Sequence, residues 1–208
     1  MKLYTPKPLK SMNCPQCGYE LPIYFNYTKL IECSSCRSTI FLGDEVAKVL
    51  GRASVLSPEP SLIKMHHPFF YKKHQYFPVG KIRYSYDRGF WEEWFLKRDD
   101  SQSWWLSIDE GDFVLEKEAD SLTLGDFDLD NLRVGQFVGD LLISEMGRGV
   151  CEGFEGELPK QIKIGITHRY IHLSGEEAKL WTLEYDEFQL SRKLFQGEWI
   201  DPFLIKVA

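Results

Sequence analysis

No run of apolar residues in the 208-residue chain approaches the ~20 that a membrane-spanning helix requires. The first residues also lack the apolar stretch of a secretory signal. The expected setting is therefore the cytoplasm, with no membrane-spanning segment. Motifs that cradle phosphate or present a nucleophile are missing as well: there is no P-loop, no dinucleotide fingerprint and no G-x-S-x-G elbow. Positive charge is short, with 25 Lys and Arg against 31 Asp and Glu, and the net −6 argues against a whole molecule that tracks a nucleic-acid backbone. Cysteine is sparse too, five in all, but four of them fall into one pattern.

That pattern is Cys14-Pro15-Gln16-Cys17 and Cys33-Ser34-Ser35-Cys36, two C-x-x-C pairs with 15 residues between them. The spacing is that of a zinc site. Four thiolates complete a tetrahedral shell and leave no open position for substrate, so the implied role of the zinc is structural. Gly18 follows the first pair, where a metal knuckle often needs the positive φ that glycine adopts cheaply. Arg37 stands at the matching place after the second pair and is less suited to it. A disulfide pairing fits poorly with a reducing compartment. A thioredoxin-like pair would need a βαβ setting, and the usual iron–sulfur spacings differ.

The stretches 21–25, 29–32 and 38–42 read as strands around the two knuckles, giving a zinc ribbon within residues 1–43. Residues 44–66 read as a connector: Val46, Val49 and Leu50 have helical spacing, while Ser57-Pro58-Glu59-Pro60-Ser61 is loop chemistry, and a strand contribution remains open. From Tyr76 onward, short alternating stretches separated by turn signals predict an antiparallel meander, as a sandwich or a partly open barrel, over 44–208. The expected fold is mainly β. Val79-Gly80-Lys81-Ile82 is similar to Val138-Gly139-Asp140-Leu141, with Glu93 and Phe95 then matching Glu152 and Phe154, which suggests an internal duplication. If the boundary near residue 43 separates two folding units, Cys33→Ser should unfold residues 10–43 alone.

Aromatic residues are concentrated in Phe90-Trp91-Glu92-Glu93-Trp94-Phe95 and Trp104-Trp105. On a strand, Trp91 and Glu93 share one face and Trp94 the other. These positions read mainly as core. Trp91, Glu93, Trp94, Trp104 and Trp105 are also the candidate binding surface for a protein partner. Residues 1–60 carry seven Lys/Arg against five Asp/Glu, a net +2, so the remainder carries −8. This makes Lys7, Lys10, Lys29 and Arg37 candidate phosphate contacts under a nucleic-acid reading. An enzymatic reading would gather Glu93, Glu152 and His168, or pair Cys151 with His168. Asp126, Asp128 and Asp130 begin like a calcium loop, but Asn131 and Phe137 occupy its two diagnostic positions. His168 and His172 share a face if their segment is a strand, with no third ligand evident; His66, His67 and His74 sit in loop-like sequence.

The residues Gly80 … Trp91-Glu92-Glu93-Trp94-Phe95-Leu96 … Trp105-Leu106 … Gly111-Asp112-Phe113, with Gly156-Glu157-Leu158-Pro159 and Phe195-Gln196-Gly197-Glu198, form a pattern. In it the chain resembles a bacterial family of uncharacterised β-domain proteins. The resemblance spans nearly the whole chain. It implies a β domain often preceded by a zinc ribbon, and an association with membrane-stress and polyamine-related gene clusters. It implies no activity and carries over no catalytic residue. The reading that follows is a non-enzymatic binding or adaptor protein.

Overall fold

The structure, a computed structural model, describes residues 5–43, 47–52, 56–119, 131–176, 179–186, 188 and 191–207. The N-terminal strands are β1 (Lys10–Asn13), β2 (Glu20–Ile23), β3 (Leu30–Glu32), β4 (Ser38–Leu42) and β5 (Ala47–Arg52). β1 and β2 form a hairpin, and β3, β4 and β5 form a small sheet. The ribbon strands fall where the alternation places them. The helical spacing of Val46, Val49 and Leu50, with Gly51 as its possible cap, does not make a helix in its described part: β5 adds an edge strand to β4, a sheet contribution winning over a short helical pattern.

The rest of the chain folds as β6 (Phe69–Tyr71), β7 (His74–Tyr86), β8 (Gly89–Arg98), β9 (Ser103–Asp109), β10 (Asp112–Glu118), β11 (Phe137–Val138), β12 (Leu141–Leu158), β13 (Thr167–Ser174), β14 (Leu180–Asp186), β15 (Ser191–Ile200) and β16 (Lys206–Val207). Strands β7-β8-β9-β10 form one meander and β12-β13-β14-β15 another. Antiparallel pairing of β10 with β15 and of β12 with β7 closes the two into an eight-stranded barrel. A barrel of this size encloses a bore that side chains can fill or that can hold one small ligand. The stretch from Gly149 to Phe154 reads by itself as a strand of its own, but β12 runs unbroken for 18 residues and bends by bulges at 143–145 and 151–153. Residues 187–195 read equally as a short helix or a strand, and 191–195 belong to β15. The acidic 126–130 stretch lies outside the described residues.

Both faces of β8 are buried, which explains its tryptophans. Trp91, Glu93 and Phe95 look into the bore, while Trp94 and Leu96 look outward into a cluster with Leu106, Phe113 and Leu115. Ile63, Phe69, Tyr71 and Ile205 cover that outer cluster. A salt-bridge group pins the 56–60 segment over the outside. Arg83 donates to Glu92 at 2.7 Å and to the Ser57 carbonyl at 3.0 Å, and Lys81 reaches Glu92 at 3.1 Å. The positions matched in the suggested duplication occupy different places. Gly80 lies within a barrel strand, whereas Gly139 is in a turn with φ 58°; Glu93 is buried and Glu152 exposed.

Candidate functional site

The four cysteines meet at one point. Cys14 Sγ is 3.7 Å from Cys36 Sγ, and Cys17 Sγ is 3.6 Å from Cys33 Sγ. Thiolates about 2.3 Å from a tetrahedral zinc stand about 3.8 Å apart, so the shell is already shaped for an ion of that kind. All four thiols are free of disulfides. Burial pushes the Cys33 thiol up to about 12, whereas hydrogen bonds from Ser38 draw Cys36 down to about 6. A metal would therefore displace protons on binding. The two knuckles are equivalent in backbone form: the Gly18 amide donates to the Cys14 carbonyl and the Arg37 amide to the Cys33 carbonyl, both at 2.8 Å. Both residues have positive φ, 78° for Gly18 and 61° for Arg37. Arginine accepts this conformation at a cost of roughly 1–2 kcal/mol. Its side chain is held by Glu32 at 2.7 Å and by Glu155 at 3.6 Å.

From this cysteine cluster the chain runs into one end of the barrel. Phe25 packs on Phe95 with ring centroids 4.9 Å apart, and Tyr24 on Phe77 at 5.4 Å. The Glu157 carboxylate, near the end of β12, accepts the amides of Tyr24 at 2.8 Å and Phe25 at 2.9 Å, and also bonds the Thr28 hydroxyl. Lys97 donates to the Tyr24 carbonyl at 2.9 Å and lies over the Phe25 ring. The ribbon is thus a stopper at this end, joined to the wall where β3 pairs with β12.

The middle of the bore is charged. Glu93, Glu116 and Glu184 project inward from β8, β10 and β14, with His168 from β13 and Lys160 from the segment after β12; all five are buried. Lys160 Nζ lies 3.2 Å from Glu184 Oε2 and 3.7 Å from Glu93 Oε2. Thr182 donates to Glu116 at 2.8 Å. Burial works against the charge of Glu184, but Lys160 and His168 outweigh it and hold its carboxyl below the usual range. Burial first, and the Glu184 charge second, push Glu93 up to about 7 and Glu116 well above its ordinary value.

These shifts set the sign of a pH effect. Between the ordinary carboxyl value of 4.5 and about 7, the folded protein keeps protons that the unfolded chain has released. Stability therefore falls as pH rises through that window. The expected result is a thermal midpoint that declines from about pH 5 to about pH 7, with a shallower decline in Glu116→Gln, which removes one such group without changing its size. Equal slopes in calorimetric scans of the two proteins would show that Glu116 ionises as readily folded as unfolded.

The other end of the barrel is open. A cavity of about 70 Å³ there is lined by Trp91, Tyr170 and Trp199 together with the carboxylates of Asp109, Asp112 and Glu145, and it continues inward to Glu93 and Glu184. Tyr86 donates to Asp109 at 2.7 Å, and Glu145 accepts Tyr170 at 2.9 Å and meets His172 Nδ1 at 3.0 Å. Burial raises the Asp109 carboxyl, and the charges of Glu110, Glu145 and Asp112 add to the rise. Trp199 is half exposed at the rim, with its ring edge-on to His172.

Of the residues singled out from sequence, Trp91, Glu93, Trp94 and Trp105 are buried and Trp104 is half-buried. Strand closure and the covering segment leave them no continuous exposed face, and of the five Trp91 and Glu93 line the cavity at the open end of the barrel. Glu93 and His168 do come together, 3.7 Å apart, but Glu152 points to solvent, and Glu184 stands where the trio needed a third member. Cys151 and His168 line a small void of about 10 Å³. His172 lies at the mouth beside Tyr170, two residues on from it and four from His168 along the same strand. Arg37 is engaged by carboxylates rather than offered to phosphate, while Lys7 and Lys10 are exposed. Sequence reasoning missed Glu116, Lys160, Thr182 and Glu184. The one signal was the run of polar residues at alternate positions 182, 184 and 186 of β14, a pattern that reads equally well as a solvent face.

A closed antiparallel β-barrel, stoppered at one end by a four-cysteine ribbon and carrying buried carboxylates in its bore, defines the class of protein. The described residues contain no helix long and apolar enough to cross a membrane. Residues 69–202 match the family described as Domain of unknown function (DUF4178), and the chain belongs to that family. The match begins at β6 and includes every barrel strand, leaving the ribbon outside it. No curated protein and no solved structure matches the chain.

Proposed function

We propose that this protein is a non-enzymatic, cytoplasmic binding module whose barrel mouth receives a cationic group. In this reading Cys14, Cys17, Cys33 and Cys36 hold zinc, which supplies a rigid closed tetrahedron and takes no part in chemistry. The ribbon so fixed keeps one end of the barrel shut, which leaves the other end as the way in. The observation that carries the reading is the composition of that mouth. Asp109, Asp112 and Glu145 share a cavity of about 70 Å³ with Trp91, Tyr170 and Trp199. Aromatic faces and carboxylates together are the chemistry that recognises ammonium and guanidinium groups. Burial and then the charges of Glu110, Glu145 and Asp112 raise the Asp109 carboxyl, a repulsion that a bound cation would relieve.

The cation can be carried on a partner protein as a Lys or Arg side chain, or on a free amine. Titration followed by tryptophan fluorescence separates the two sources, since Trp91 and Trp199 both line the cavity. The expected result is saturable binding of either a Lys/Arg-bearing peptide or an alkylammonium ion, with an acidic peptide inert. Glu145→Gln is expected to weaken it about tenfold, the loss of a charge-assisted contact. Absence of saturable binding by both probes, or equal binding of the acidic peptide, would refute the reading.

A further inference from the structure

Three side chains on three barrel strands direct donor atoms at one spot inside the bore: Glu93 on β8, His168 on β13 and Glu184 on β14. His168 Nε2 lies 3.7 Å from Glu93 Oε1 and 3.9 Å from Glu184 Oε2. All three donors fall within 4.8 Å of one another. Donors about 2.1 Å from a tetrahedral ion stand about 3.4 Å apart, so His168 needs to close on Glu93 and on Glu184 by about 0.3–0.5 Å, and the two carboxylates need only turn toward one another within the 4.8 Å that spans all three.

Their orientations are held from outside the cluster. The His168 ring stacks on Tyr84, with centroids 4.6 Å apart and planes 27° from parallel. Trp91 Nε1 donates to Glu93 Oε1 at 3.3 Å. Such supporting contacts are what aim metal ligands. A separate observation also points to a cation: Glu93 Oε2 is buried and accepts no hydrogen bond among the described residues. The Lys160 ammonium stands 3.7 Å from it and is shared with Glu184. Lys160 comes from the non-strand segment after β12 and extends over the Trp105 ring, 5.2 Å from Nζ to its centroid. Its ammonium is the counter-charge that Glu93 and Glu184 share. Glu93 and Glu184 also line the mouth cavity, which gives an ion its route in.

We propose that Glu93, His168 and Glu184 form a second metal site, for a divalent transition ion that takes nitrogen and oxygen ligands, and that Lys160 is its internal competitor. One imidazole and two carboxylates suit zinc, iron(II), manganese(II) or cobalt(II) and contain none of the thiolate that defines the ribbon site. The ion would replace the ammonium as the counter-charge of both carboxylates.

Cobalt(II) is the probe, added to the full-length protein with zinc already in the cysteine cluster. The expected result is one further equivalent of cobalt with weak visible bands and no thiolate charge-transfer band, the latter being the mark of cobalt that has entered the cysteine site instead. A crystal of that protein should show an anomalous peak at the cobalt edge between Glu93 and His168. Lys160→Met is expected to tighten cobalt binding, and Glu184→Gln to weaken it, each by about tenfold or more. If Glu184→Gln does not fold, the comparison of the parent with Lys160→Met and the position of the peak decide the matter. No second equivalent in either the parent or Lys160→Met overturns the proposal, as does a peak elsewhere or affinity indifferent to Lys160.

Discussion

Cys33→Ser is expected to release the metal and unfold residues 10–43, and to leave the barrel folded but weaker by about 2–4 kcal/mol. The first half follows from the small size of the ribbon cluster. Cys14, Leu21, Ile23, Ile31, Cys33 and Ile40 are its buried members, too few to hold four short strands without the ion, whose binding energy in such units is folding energy. The second half follows from the stopper. When the ribbon leaves, the Glu157 carboxylate loses the Tyr24 and Phe25 amides and the Thr28 hydroxyl. Phe77, Phe95 and Leu158 at that end of the core also meet water. Hydrogen exchange read by mass spectrometry checks both halves: protection should vanish over 10–43 and persist in β8, β9 and β14, while the urea midpoint of the barrel falls. Simultaneous loss of protection throughout would show the ribbon and barrel to be one cooperative unit, with no boundary near residue 43.

Gly80→Ala should cost more than almost any other single methyl in the chain, about 3 kcal/mol or more. A Cβ at this position would sit 2.0 Å from the Glu157 carbonyl oxygen and 3.2 Å from the Leu158 side chain. The obstruction is backbone, which no rotamer change relieves. Gly80 lies at the seam where β7 pairs with β12, opposite Gly156, next to the register shift at 78–80. Pushing the seam apart breaks the closure of the barrel and moves Glu157 away from the amides it accepts. Equilibrium urea denaturation of the variant gives the number, and a loss of under about 1 kcal/mol would mean that the seam yields at little cost. The two variants are linked, since both act through Glu157; their combination should cost less than the sum of the separate effects.

The charged bore gives these stability arguments their bearing on function. A barrel filled only by apolar side chains would be more stable than one that buries Glu93, Glu116, Glu184, His168 and Lys160, because each buried ionisable group carries a desolvation cost. Retaining them next to an open, carboxylate-lined mouth is what a cation-binding interior requires.

The cysteine cluster could be read because its information is local: two C-x-x-C knuckles fix four ligands within 23 residues, and the thiol separations follow. The ribbon strands and the meander strands β7 to β10 could be read for the same reason, since alternation and turn residues act over a few neighbours. The candidate site in the bore was half visible. Glu93 and His168 stand out in the sequence, but local pattern offers Glu152 as their companion where the fold supplies Glu184. Alternation says that Glu184 and Leu183 face opposite sides of β14; it does not say which side is inside. That is decided when β12 meets β7 and β10 meets β15, pairings between residues more than 60 positions apart. Closure turns one face of every strand into a bore and leaves the other to be covered by residues 56–71 and the C-terminal strand. The four-cysteine cluster and the β character of the chain arise from near neighbours, and so both are written in the residues. That the ribbon is a stopper and the polar face of the sheet an interior depends on long-range pairing, which no local pattern records.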